Sequence, residues 1–130
     1  MTAPKVQVII GLAANTADRE LAVAAAAESL CNLFTGVRVS QIEITAPLSG
    51  HGAKYANAIA VAMTSLSPEA IMIAMKALEA NAGRQKLNRD DIPLDLDLLD
   101  YDGQELPELK LPRRAMLSLD FNRRALAELQ

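Results

Sequence analysis

Apolar residues recur along the chain with two periods, and the switches between them outline the elements. Val6-Gln7-Val8-Ile9-Ile10-Gly11 is a short β-branched run stopped by glycine, the pattern of a buried strand. Val23, Ala27, Leu30 and Phe34 then fall at helical spacing. Asn15 or Thr16 can cap that helix, Asp18 and Glu20 suit the positive end of its dipole, and Gly36 lies past its end. Cys31 is expected to pack beside the stripe as a small apolar residue.

Val37 to Ile44 alternates at period two, as a half-buried strand does, and Asn57 to Met63 forms another apolar strand. The loop between them, Thr45-Ala-Pro-Leu-Ser-Gly-His-Gly52, is too long for a tight hairpin. Ser67-Pro68-Glu69 is a helix start, with serine as cap and proline at the first helical position. Ile71, Met75, Leu78 and Ala82 mark the buried side of this helix, and Gly83 suits a left-handed cap. Leu94 to Tyr101 reads as a further strand. Asp102-Gly103, Pro107 and Pro112 interrupt the chain beyond this strand, and a short helix is expected near Gln130. The order β-α-β-β-α-β predicts an α+β, ferredoxin-like core: an antiparallel sheet with helices on one face, followed by a short C-terminal extension.

The 130 residues suit one domain, and 51% hydrophobic residues supply a core. A net charge of −3 and only four aromatic residues (Phe34, Tyr55, Tyr101 and Phe121) argue against a nucleic-acid binder, which needs basic faces and stacking platforms. A lone cysteine and a lone histidine, His51, leave no disulfide framework and no thiolate or imidazole metal cage. No apolar run is long enough to span a bilayer and the first residues carry no signal core, so a cytoplasmic location without membrane contact is expected. More than half of the charge falls after Gly83.

That charged part holds the most informative triplet, Asp95-Leu96-Asp97. On a strand, residues two apart share a face, so both carboxylates project together while Leu94, Leu96 and Leu98 point the other way. Paired carboxylates of this kind suit a hard cation such as Mg²⁺, which accepts one or two carboxylates alongside phosphates and water; the competing reading is a solvated acidic face. The segment 83–93 runs from basic to acidic, and Arg84 and Lys86 could hold a polyphosphate there or sit on a solvated loop. Arg113-Arg114 and Arg123-Arg124 read as surface pairs. Neither a Walker phosphate loop nor a dinucleotide glycine fingerprint is present. Ser49-Gly50-His51-Gly52 lacks a partner base, so His51 is read as an exposed loop residue.

Taken together, these pieces resemble the 6-hydroxymethyl-7,8-dihydropterin pyrophosphokinase family, as a divergent, shortened member. The resemblance rests on Thr45-Ala46-Pro47-Leu48 with Tyr55-Ala56-Asn57-Ala58, on Ser65 to Glu79 with Gly83-Arg84, on Asp95-Leu96-Asp97-Leu98-Leu99, and on Leu111-Pro112 with Phe121 and Leu126 to Leu129. It implies that Tyr55 and Phe121 stack on a pterin ring, that Asn57 hydrogen-bonds its edge, and that Thr45 and Leu48 add loop contacts. It also implies that Asp95 and Asp97 hold two Mg²⁺ ions, with Arg84 reaching the nucleotide; the basic residues Lys86 and Arg113 are further candidates for the ATP side. The sequence departs from the family pattern at Ile92, Arg113 and Leu119, where the family carries arginine, histidine and arginine, and near Arg89, where it carries an aromatic residue.

The implied activity is transfer of diphosphate from ATP to 6-hydroxymethyl-7,8-dihydropterin in the folate pathway, giving AMP and the pterin diphosphate. The alternative is a catalytically degenerate paralogue that binds a pterin or a protein partner without turnover. A weaker third reading is a regulatory module assembling through its sheet edge. A protein partner or a homo-oligomer stays open in all three.

Overall fold

In the computed structural model, which describes residues 4–83 and 91–130, the first apolar run continues through its glycine to form β1 (Val6–Ala14). Gly11 does not end the strand, because the alternation of Val8, Ile10, Leu12 and Ala14 toward the core carries on past it. The chain then forms α1 (Arg19–Leu33), β2 (Thr35–Val39), β3 (Glu43–Thr45), β4 (Tyr55–Thr64), α2 (Pro68–Asn81) and β5 (Asp95–Tyr101). A 3-10 turn at Pro107–Leu109 leads into α3 (Arg114–Leu117) and α4 (Asp120–Leu129).

The strands lie in the order β2-β4-β1-β5, every pairing antiparallel, with β3 also on β4. This is the expected ferredoxin-like sheet. The strand expected over Val37–Ile44 is broken in two. Ser40 exchanges backbone and side chain with Ile59, its N–H donating to the Ile59 carbonyl at 2.9 Å and its Oγ accepting the Ile59 N–H at 2.9 Å. Period-two alternation continues through such a bend, so the pattern does not reveal it.

One sheet face packs on α1 and α2. Ala56, Ala58, Ala60 and Ala62 keep β4 thin there, letting Ile10, Leu12, Leu30 and Ile71 bury completely. Each such side chain contributes about 1.5–3 kcal/mol. The other face carries a second cluster of Ile59, Val61 and Leu99, covered by Met116, Leu117, Ala125, Leu126 and Leu129. The C-terminal extension therefore forms two helices rather than one, on the face opposite α1 and α2. Alternation places Leu99 on the face of Asp95 and Asp97, in the second cluster, and a register shift between Ile9 and Ile10, at which Leu99 has no partner on β1, returns Tyr101 to the first.

Three local features differ from the pattern for related reasons. The first helix starts after Asp18 without a side-chain cap, and Thr16 Oγ1 instead donates to Asp18 Oδ1 at 2.8 Å. Its buried stripe runs through Val23, Ala26 and Leu30, which leaves Cys31 exposed rather than packed. Ala82 is exposed as the residue capping α2, and Gly83 takes the left-handed conformation expected of it, φ 92°. Ser67 Oγ accepts the Ala70 N–H at 3.2 Å. Ser67→Ala is therefore expected to cost about 1 kcal/mol, read as a lower urea midpoint with an unchanged slope. Among the described residues no helix is long and apolar enough to cross a membrane.

Candidate functional site

The register of the sheet builds a cavity from the residues that point away from α1 and α2. Asn57, Ala13 and Asp95 lie in one cross-strand row, and Ile59, Gly11 and Asp97 in the next. Small residues on the central strand, flanked by polar ones on its neighbours, leave open space above the sheet. That space is a cavity of about 280 Å³, closed by the Thr45–Ser49 segment on one side and by Met116, Leu119, Phe121 and Asn122 on another. Gly11 forms part of the floor, where a Cβ would stand 3.2 Å from Leu99 Cδ1.

The loop side is fixed by one amide. Asn57, buried on β4, donates from Nδ2 to Thr45 Oγ1 at 2.7 Å and more weakly to the Glu43 carbonyl at 3.4 Å. This ties β3 and the start of the loop to the middle of the sheet. Leu48 stands on the cavity rim with 78% of its surface exposed, an apolar side chain left uncovered beside an apolar opening. The two aromatic residues of the cavity, Tyr55 and Phe121, belong to neither apolar cluster. Phe34 and Tyr101 do pack in the core, where the Tyr101 hydroxyl donates to the Leu66 carbonyl at 2.7 Å. The scarce aromatics thus divide into two that fill the core and two that line the cavity.

The carboxylates form the polar end. Asp95 and Asp97 share the sheet face as period two requires, with Leu94, Leu96 and Leu98 buried on the other side. Burial pushes the Asp97 carboxyl up to about 6, and the charge of Asp95 and a hydrogen bond to it add to the effect. Arg113 opposes the rise and Glu79 adds slightly to it. Arg113 is held in place by its N–H to the Leu99 carbonyl at 2.8 Å and its Nε to the Leu98 carbonyl at 3.3 Å. Glu79, on α2, accepts the Leu96 N–H through Oε2 at 2.8 Å, bracing β5 between the two aspartates. Two half-buried carboxylates with a shared face can hold a hard cation whose other positions go to water or phosphate. Among the described residues no cluster of three or more His, Cys, Asp or Glu side chains could hold a metal.

Of the residues singled out from sequence, Thr45, Leu48, Tyr55, Asn57, Asp95, Asp97 and Phe121 all line this one cavity, and Arg113 lies beside Asp97. Arg84, Lys86 and Arg89 lie outside the described residues. His51 is exposed, as expected, and Leu119, one of the departures, lines the cavity. Ile92, another departure, is held by Asn15: the Asn15 N–H donates to the Ile92 carbonyl at 2.9 Å and Asn15 Oδ1 accepts the Ile92 N–H at 2.6 Å. Asn15, expected as a helix cap, instead fixes the chain three residues before Asp95. Asn15→Ala should strand the Ile92 N–H and cost about 1–3 kcal/mol, measured by urea unfolding.

Sequence reading missed Gly11, Ala13, Met116 and Asn122 as cavity residues. The available signal was the small pair Gly11 and Ala13 alternating with Ile10, Leu12 and Ala14, which marks a strand face kept clear. Nothing in the tail pattern places Asn122, buried and donating to the Met116 carbonyl at 2.8 Å, at the junction of α3 and α4.

The family model for 7,8-dihydro-6-hydroxymethylpterin-pyrophosphokinase matches residues 9–130. No curated protein matches the chain.

Proposed function

Because the chain belongs to the 7,8-dihydro-6-hydroxymethylpterin-pyrophosphokinase family, we propose that its cavity takes the pterin and that the chain transfers diphosphate to it from ATP. The observation that carries this reading is the convergence of Tyr55, Phe121, Asn57 and Thr45 with the Asp95–Asp97 pair in one cavity of about 280 Å³. A flat heteroaromatic ring needs apolar faces and an edge partner, and phosphoryl transfer needs positioning and charge neutralisation close by.

In this reading Tyr55 and Phe121 cover the two faces of the pterin, and Asn57, oriented by Thr45, meets its polar edge. The substrate hydroxymethyl oxygen then lies toward β5. Asp95 and Asp97 would hold Mg²⁺, which would supply positive charge to the phosphate oxygens. Arg113 adds positive charge beside Asp97, Arg84 is assigned to the nucleotide by the family resemblance, and Lys86 by its place in the same basic segment. The hydroxyl attacks the β-phosphorus, the bond from that phosphorus to the α-β bridging oxygen breaks, and AMP leaves. The hydroxyl proton leaves to bulk water as the new oxygen–phosphorus bond forms.

A second reading, a pterin binder without turnover, is favoured by Leu119, an apolar side chain lining the cavity where the family carries an arginine. Calorimetric titration with 6-hydroxymethylpterin and with α,β-methylene-ATP addresses both. Transfer requires that the two ligands bind together and that nucleotide binding vanishes when EDTA removes Mg²⁺. Nucleotide affinity indifferent to EDTA would overturn the assignment of the carboxylates, and pterin binding alone selects the second reading.

A further inference from the structure

A second cavity, about 330 Å³, lies directly behind the first and shares Asn57, Ala58, Phe121 and Asn122 with it. Phe121 is thus a partition with open space on both sides, and close packing cannot by itself fix where it stands. Phe121 sits in the first turn of α4, and α4 is tied to the far side of this second space by polar contacts. Arg124 meets Glu43 with two bonds, Nε to Oε1 at 3.0 Å and Nη2 to Oε2 at 2.7 Å. Glu128 Oε2 accepts the Gln41 N–H at 2.7 Å, and the Arg38 guanidinium donates to the Leu129 carbonyl.

Glu43 occupies a particular position among these. Its carbonyl accepts from Asn57, it pairs with Asn57 across β3 and β4, and two residues further on Thr45 pairs with Tyr55. One side chain therefore joins the strand unit carrying Tyr55 to the helix carrying Phe121. A bidentate guanidinium–carboxylate contact fixes distance and angle together, which a single-point contact does not. The Arg124 hydrogen bond lowers the Glu43 carboxyl from its ordinary value.

We propose that the Glu43–Arg124 pair, spanning the cavity behind Phe121, is a positioning strut that sets the separation of the Tyr55 and Phe121 walls. Neither residue touches the pterin; both act through Phe121. The consequence for pterin binding rests on the function proposed above, whereas the consequence for Phe121 does not.

The test separates the two. The chain has two phenylalanines, so uniform 4-fluorophenylalanine labelling gives two ¹⁹F resonances, with core-buried Phe34 as the internal control. In Glu43→Gln and in Arg124→Gln the Phe121 resonance should shift or broaden without ligand, while that of Phe34 stays. Affinity for 6-hydroxymethylpterin should fall about threefold to fivefold, the range expected for a well-formed exposed pair. Arg124→Lys should recover part of both effects, and the double variant should be no worse than either single one. Arg123→Gln removes the Arg123–Asp120 pair on the same helix, which bridges nothing, and should leave both readouts unchanged. An unmoved Phe121 resonance, additive losses in the double variant, or an equal effect of Arg123→Gln would each overturn the strut. A moved resonance in a protein that binds no pterin would uphold the strut and remove the function proposed above.

Discussion

Asp97→Asn is expected to raise the melting temperature of the metal-free protein and, in the same variant, to abolish Mg-dependent nucleotide binding. The two effects have one cause. The carboxyl is pushed from 3.8 to about 6, chiefly by burial and then by the neighbouring Asp95. The folded chain therefore holds the Asp97 proton more tightly than the unfolded chain does. Folding is favoured fully by this group only where both states are protonated, below about pH 4, and the contribution is lost as pH rises toward 6. Above that, a partly buried charge is a liability to the metal-free fold. After allowance for the part of the carboxyl that solvent reaches, the gain from Asp97→Asn at about pH 8 is on the order of 1–2 kcal/mol. It should shrink to nothing below about pH 4. In the wild-type protein a cation must displace the Asp97 proton, so Mg²⁺ affinity should climb as pH passes through 6. Thermal melts at several pH values, with and without Mg-nucleotide, check all three statements. A variant that melts lower than wild type at neutral pH, or that still binds Mg-nucleotide, contradicts them.

Phe121→Ala is expected to weaken pterin binding about 10- to 100-fold, the loss that comes from uncovering one face of a stacked ring. Stability should change by no more than about 1 kcal/mol, because Phe121 is only half-buried and lies outside both apolar clusters. The contrast with Phe34→Ala, which empties a core position, is diagnostic: that change should cost about 3–5 kcal/mol of stability. Calorimetry for binding and urea unfolding for stability separate the two. A Phe121→Ala variant that unfolds readily yet binds pterin normally would make this residue a packing element.

Most of the sheet was legible because apolar alternation is a direct record of burial. Val8, Ile10 and Leu12, or Leu96 and Leu98, face the helices for the same reason that they alternate. Asp95 and Asp97 came from the same rule applied to polar positions. The elements misread were those where a side chain replaces the backbone ladder or where long-range contact decides. Ser40 breaks one expected strand by bonding both ways to Ile59, and Asn15 leaves the helix cap to hold Ile92. Cys31 looked apolar by type, yet the stripe of α1 turns it to solvent. The cavity itself needed the sheet register: only the alignment of Gly11 and Ala13 between Asn57, Asp95 and Asp97 shows that the space above them is open. The first helix of the extension, α3, lay beyond local pattern, since its apolar residues Met116 and Leu117 are explained only by the cluster at Ile59, Val61 and Leu99.

The proposed reaction is transfer of diphosphate to a pterin held between Tyr55 and Phe121 and next to Asp95 and Asp97. Its most direct test is AMP formation by the wild-type protein from ATP and 6-hydroxymethyl-7,8-dihydropterin with Mg²⁺, alongside reactions lacking the pterin or the metal. AMP and pterin diphosphate should form in equal amounts, and neither when pterin or Mg²⁺ is left out. A folded protein that forms no AMP with all three present, or forms it equally without pterin, contradicts it.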